Sequence, residues 1–206
     1  MAEDGFDREM TPSLKWRLSV LAGVLGAFVV VDQATKYLVR SLLVDGAWSM
    51  PSLPGFMRFE FVANRGASFG MGEGFGFAFA VLAIAVVLGI GWYVRTAKVM
   101  SKVELVGLAM VAGGAIGNMI DRLSNGFVTD FFCTEFISFP VFNVADIGIT
   151  CGVAIALIGF LFLSPANKVD ATAELNRRDA EERARREAKR ASRDAKTKNA
   201  RKKGGR

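Results

Sequence analysis

Two aspartates, Asp130 and Asp146, stand sixteen positions apart, each closing a short polar signature at the edge of an apolar stretch. Carboxylates beside hydrocarbon are costly, so they are rarely there without a task. The chain contains no histidine. That excludes Ser-His-Asp and Cys-His catalysis and histidine-based zinc sites. What remains is the chemistry of a carboxylate pair, in which an ionised member takes a proton from water and a protonated member supports an oxyanion. The sequence does not show how close the two lie; folding must bring them together.

Further polar residues occur at the ends of apolar runs. Asp32 and Lys36 are one turn apart in acid-first i,i+4 order, which suits a structural ion pair as well as a functional one. Asn64 lies in Asn-Arg-Gly-Ala-Ser-Phe-Gly, where a strand gives way to a turn, and alone it is ordinary turn chemistry. Asn118 and Arg122 share one helix face. Asp121 and Arg122 could equally cap and solvate that helix end. Asn143 with Asp146 three residues on is a good helix start, an N-cap followed by an acid in the first turn.

The elements that must position these groups are apolar helices. Of 206 residues, 51% are hydrophobic, and the mean hydropathy is +0.31. A spanning helix needs about 20 largely apolar residues. Residues 74–94 meet this alone; 105–120 do so if extended back to Val103, and 147–163 if begun near Asn143. A fourth candidate, Leu18–Val39, is interrupted only by Asp32 and Lys36. It follows Lys15 and Arg17 as a signal peptide would, but no small-residue cleavage site precedes Asp32, so it reads as a retained span.

The fold class expected is an α-helical membrane protein with four transmembrane helices, a small extracytoplasmic β platform and a charged cytoplasmic C-terminal tail. The expected divisions are an N-terminal cytoplasmic segment, 1–14, a four-helix membrane domain, 15–164, and a basic, partly helical or disordered tail, 165–206. Lys15 and Arg17, the loop with Arg95, Lys98 and Lys102, and the tail all fall on one side of four spans. The positive-inside rule puts that side in the cytoplasm and both aspartates at the outer face. Arg40, Arg58 and Arg65 on the other side weaken the asymmetry without reversing it.

Phe56–Phe61 alternates apolar and charged residues with the period of a half-buried strand, after a turn marked by Pro51, Pro54 and Gly55. Phe127–Phe139 is also rich in aromatic and β-branched residues, and Trp48 suits the headgroup zone. Small residues recur every four positions at Ala109, Gly113 and Gly117, and at Gly148, Gly152 and Ala156. This spacing lets helices approach closely and brings the ends of spans three and four together. Cys133 and Cys151 define no disulfide framework, and Cys151 reads as a small apolar residue buried within a span.

The net charge of +6 resides in the tail: from Lys168 onward there are 15 basic and 7 acidic residues. Acid-before-base pairs at Asp179–Arg183, Glu181–Arg185 and Glu182–Arg186 favour helix, without an apolar stripe. A solvated tail or one drawn to anionic lipid fits. Nothing specific points to nucleic acid.

Taken together, Asp-Gln-x-x-Lys (32–36), Asn-x-Gly-Ala (64–67), Gly-Asn-x-x-Asp-Arg-x-x-x-Gly-x-Val-x-Asp-Phe (117–131) and Phe-Asn-x-Ala-Asp (142–146) resemble the signal peptidase II family. The match runs in order over roughly residues 18–163; Ser68, where alanine is common, is a small departure. The resemblance implies an aspartic endopeptidase with Asp130 and Asp146 as catalytic residues. Asn118, Arg122, Asn143, Asn64, Asp32 and Lys36 become substrate-binding or supporting residues. It also implies cleavage of diacylglyceryl-modified prolipoproteins before the lipidated cysteine, at the outer face of a bacterial cytoplasmic membrane. Membrane lipids and a globomycin-type inhibitor are expected partners, with no metal or cofactor and a monomeric state. A proton-coupled carrier is the rival reading, since carboxylates in membranes also mark proton relays. It favours mid-span acids and internal repeats, whereas these acids cluster at helix mouths and no repeat is visible. A non-enzymatic scaffold would leave the Asn/Asp/Arg cluster unexplained.

Overall fold

The structure, a computed structural model, describes residues 12–43, 50–66, 72, 74–165 and 179–189. The expectations for Trp48, Ala67, Ser68 and most of the tail lie outside the described residues. The chain divides into two compact units, Met1–Pro165 and Ala166–Arg206.

The first unit runs α1 (Leu14–Leu43), β1 (Met50–Leu53), β2 (Met57–Asn64), α2 (Gly76–Thr96), α3 (Lys102–Asn125), β3 (Val128–Thr134) and α4 (Val144–Phe162). All four helices are long and apolar enough to cross a membrane. α1 and α3 outrun the uncharged sequence runs by about a turn or more at each end. Charged residues occupy those extensions: Lys15 is exposed, where the interface solvates a charge at little cost, whereas Arg40 and Arg122 find partners within the protein.

Local signals fix the helix ends. Ser101 caps α3 by accepting from the Glu104 N–H while the Glu104 side chain accepts from the Ser101 N–H. α3 stops at Gly126, whose left-handed φ of 76° would strain any side-chain-bearing residue. Asn143 and Asp146 form the same reciprocal box at the start of α4.

α3 packs against α1, α2 and α4. Lipid offers no hydrophobic drive between helices, so close backbone approach and interhelical hydrogen bonds must hold them. The small-residue stripe works differently from the sequence expectation. On α3 it is Gly107 and Gly114 that face α4, against the backbone of Gly152, Ala156 and Ala145; Gly113 and Gly117 instead face Phe28 and Asp32 of α1. The two faces of one glycine-rich helix therefore serve two neighbours. At the end remote from the aspartates, Tyr93 donates to Glu104 at 2.6 Å, Ser101 to the Gly159 carbonyl at 3.0 Å and Arg17 to the Ala97 carbonyl at 3.0 Å. Phe77, Leu88 and Trp92 of α2, and Phe160 and Phe162 of α4, point outward as a lipid-facing belt.

The strands form one antiparallel sheet in the order β1-β2-β3. Pro51 lies inside edge strand β1, where a missing ladder donor is tolerated, and the turn occupies residues 54–56. The second aromatic stretch is strand only over Val128–Thr134. The chain then returns, and Phe142 pairs back on β3, its carbonyl accepting from Phe131 and Phe132 at 3.0 and 2.8 Å. Phe59, Phe131, Phe132 and Phe142 pack as neighbouring rings around that return. In the second unit, residues 179–189 are helical and Arg186 meets Glu182 at 2.6 Å. Such an exposed pair contributes a few tenths of a kcal/mol.

Candidate active site

The return of Phe142 onto β3 closes the sixteen-residue gap. It sets Asn143, the first residue after the bridge, beside Asp130 in the middle of β3. The Asn143 amide donates to Asp130 Oδ1 at 2.6 Å, while its backbone N–H donates to Asp146 Oδ2 at 3.0 Å. A single residue therefore touches both carboxylates. Its Oδ1 also accepts from the Asp146 N–H at 3.0 Å, so capping and site assembly are the same contact rather than competing roles.

Each carboxylate has a second amide. Asn64, the last residue of β2, donates to Asp130 Oδ2 at 2.8 Å and accepts from the Gly66 N–H at 2.9 Å. The turn expected from sequence thus aims the Asn64 side chain across the sheet. Asn118 donates to Asp146 Oδ1 at 2.8 Å, and its own carbonyl accepts from Lys36 at 2.7 Å and Asn143 at 3.1 Å. Asp130 is 2% exposed. Burial pushes its carboxyl from the ordinary 3.8 up to about 6; the Asn64 amide opposes this, the nearby Asp146 charge adds to it, and Asn143 and Lys36 oppose it.

Arg122 donates to the Gly66 carbonyl at 3.0 Å and the Asn118 carbonyl at 3.4 Å, and lies over the Phe79 ring at 5.2 Å. It ties the end of β2 to α3 on the flank of the pair. Asp32 and Lys36 do form the expected pair, at 2.9 Å and with no exposure. Asp32 also accepts from the Ala145 N–H at 2.9 Å, so it reaches the first turn of α4.

Sequence reasoning missed several parts. Asp121, for which a solvated helix end is one of the readings the sequence leaves open, is completely buried. It accepts from Arg40 at 3.1 Å and from the Thr129 N–H at 2.8 Å, and Arg40 also donates to Thr129 Oγ1 at 2.8 Å. These contacts pin the residue next to Asp130. Gln33 joins Asp32 to the Gly117 carbonyl at 3.1 and 3.0 Å. Polarity inside the Asp-Arg and Asp-Gln motifs was the available signal. Cys151, read as buried within a span, is exposed.

A cavity of about 280 Å³ opens onto the pair, lined by Asn64, Asp130, Phe142, Asp146, Ile147 and Cys151 among others. Its wall is mostly apolar apart from the amide and carboxyl groups. No cluster of three or more His, Cys, Asp or Glu side chains among the described residues is arranged to hold a metal ion. Two converging carboxyls in an apolar-walled cleft are suited to activating water against a carbonyl bound between them.

Fold and site together define a multi-pass membrane protein whose polar centre is built on two carboxyl groups. The family model described as "Signal peptidase (SPase) II" matches residues 24–162. The lipoprotein signal peptidase of Symbiobacterium thermophilum is 40% identical over 148 residues, covering 71% of this chain and 92% of that protein. That of Streptococcus pneumoniae is 36% identical over 144 residues, covering 69% and 93%. Two solved structures described as a bacterial membrane enzyme, determined by the in meso method, are each 27% identical. They superpose with TM-scores of 0.64 and 0.62, covering 69% and 70% of this chain and 88% and 94% of theirs. The chain belongs to the signal peptidase II family, and is accordingly a membrane peptidase.

Proposed function

We propose that this protein removes the signal peptide from diacylglyceryl-modified prolipoproteins. It cuts before the lipidated cysteine, using Asp130 and Asp146 as an aspartic dyad at the outer rim of a bacterial cytoplasmic membrane. The observation that carries the reading is Asn143 bound to both carboxylates at once. The relatives named lipoprotein signal peptidase support this substrate class, and nothing in the comparisons supports a proton-coupled carrier.

Two facing carboxyls cannot both ionise freely, so the pair holds one proton and titrates as a unit. Charge balance agrees: Asp32, Asp121, Asp130 and Asp146 surround Lys36, Arg40 and Arg122, and one shared proton makes that set neutral. Burial pushes Asp130 up to about 6, substrate that displaces water raises it further, and we assign the shared proton to Asp130 in the substrate-bound state. Asp146 takes a proton from water, whose oxygen attacks the scissile carbonyl. Asp130 hydrogen-bonds the oxyanion as it forms. Collapse breaks the C–N bond, and the proton gained by Asp146 goes to the leaving amine.

Arg122 and Asn118 orient substrate carbonyls, and Asn143 and Asn64 hold the carboxyl planes. The acyl chains remain in lipid while the cleft receives the peptide. Basic residues flanking α1, joining α2 to α3 and filling the tail favour cytoplasmic termini.

The test is cleavage of a synthetic prolipoprotein peptide by the purified protein. Cleavage of the diacylglyceryl-modified peptide, blocked by globomycin and absent with the unmodified peptide, is expected. Failure to cut the modified peptide, or equal cutting of both, overturns the assignment.

A further inference from the structure

We infer that Lys36, which takes no part in the proposed proton transfers, is the positioning residue that orients Asn118 and anchors the backbone beside both carboxylates. The inference rests on the reading of Asp130 and Asp146 as the catalytic pair.

Lys36 is completely buried, and its ammonium has three donors. Two of them meet Asn118 Oδ1 at 2.7 Å and Asp32 Oδ2 at 2.9 Å, and Asp121 Oδ2 lies in ion-pair range at 3.6 Å. Each acceptor leads to the dyad by a separate route. Asp32 holds the Ala145 N–H, the residue before Asp146. Asp121 holds the Thr129 N–H, the residue before Asp130. Asn118 donates to Asp146 directly.

The Asn118 amide has two possible orientations, and Lys36 decides between them together with the Asn143 amide, which donates to the same oxygen. Reversed, it would aim its NH2 at an ammonium and its carbonyl at the Asp146 carboxylate, and both contacts would be repulsive. With the ammonium present, only the orientation that gives Asp146 a donor survives. The cation also sits one amide group behind the pair. The other charges facing Lys36 and the dyad are Asp32 and Arg40 from α1, Asp121 and Arg122 from α3, Asp130 from β3 and Asp146 from α4. Removing Lys36 thus removes the innermost positive charge and favours protonation of Asp130, which that charge opposes.

The experiment measures the pH dependence of kcat and KM for the full-length protein in detergent, with a diacylglyceryl-modified prolipoprotein peptide as substrate. Lys36→Met is expected to move the acidic limb of kcat/KM up by about one pH unit, the effect of a unit charge near a partly buried site. It should lower kcat by about tenfold or more while leaving KM near wild type. Lys36→Arg keeps the charge and is expected to hold the limb in place. Should Lys36→Met fail to fold, the neutral pair Asp32→Asn/Lys36→Met restores charge balance and is expected to fold with a similarly low kcat.

An unmoved limb with activity tracking the folded fraction, or wild-type kcat in the neutral pair, overturns the inference. So does failure of both variants to fold, which makes Lys36 purely structural. Asp130→Asn and Asp146→Asn run alongside: normal cleavage by either defeats the dyad itself. Loss in both with no Lys36 effect defeats only this inference.

Discussion

Replacing Asp130 with asparagine measures what the fold gives up to keep that carboxyl in place. Burial raises it from 3.8 to about 6. A shift of about two units corresponds to about 3 kcal/mol of pH-dependent stability. The sign follows from the direction of the shift. A group raised in the folded state contributes fully below its unfolded value, near pH 4, and that contribution is lost as pH rises through about 6. Wild-type protein should therefore lose about 3 kcal/mol between pH 4 and pH 8 that the asparagine variant does not lose. Against this, both Asp130 oxygens accept amide donors, from Asn143 and Asn64. An asparagine must turn its own NH2 toward one of them, at about 1 kcal/mol regardless of pH. The variant is thus about 1 kcal/mol less stable than wild type at pH 4 and about 2 kcal/mol more stable at pH 8. Thermal unfolding in one detergent at one scan rate reads this as a Tm higher by about 4–8 °C at pH 8. Parallel Tm profiles from pH 4 to pH 8 would refute the argument that burial raises this carboxyl.

Substitutions at three other positions separate the parts they play. Asn143→Ala removes a helix cap and the bridge between carboxylates, so Tm falls by an amount equivalent to about 1 kcal/mol and kcat by about a hundredfold; Asn143→Ser restores the cap and Tm but not the rate. Arg122→Lys keeps the charge but loses the fork that spans the Gly66 and Asn118 carbonyls; kcat/KM should drop about tenfold with little change in Tm. Gly107→Val puts a side chain against the Gly152 and Ala156 backbone, so α3 and α4 must part. A loss of about 3 kcal/mol, seen as early thermal unfolding, is expected.

Much of this architecture was legible before any coordinates. Apolar runs located four spans because hydrocarbon admits few charges, and the boundaries slipped where charge is solvated at the ends, as at Lys15, or paired within the protein, as at Asp121. Asn64, Asn118 and Asn143 were marked by being amides at element ends, and each proved to serve a carboxylate. The convergence of Asp130 and Asp146 was not legible from spacing. It depends on Phe142 pairing back to Phe131 and Phe132, a non-local register that no local pattern announces. The burial of Asp121 was not legible for a related reason: an acid at a helix end is ordinarily solvated, and only the arrival of β3 and Arg40 buries it. The stripe of Ala109, Gly113 and Gly117 marked α3 as a close-packing helix, but the residues against the α4 backbone are Gly107 and Gly114, which lie outside it.

The central claim is that two carboxyls jointly activate one water. It is tested most directly by single-turnover cleavage of a diacylglyceryl-modified peptide by Asp130→Asn and by Asp146→Asn, each shown to be folded. Loss of about a thousandfold or more in both, with substrate binding retained, is the predicted result. Turnover near the wild-type rate by either folded variant would contradict it.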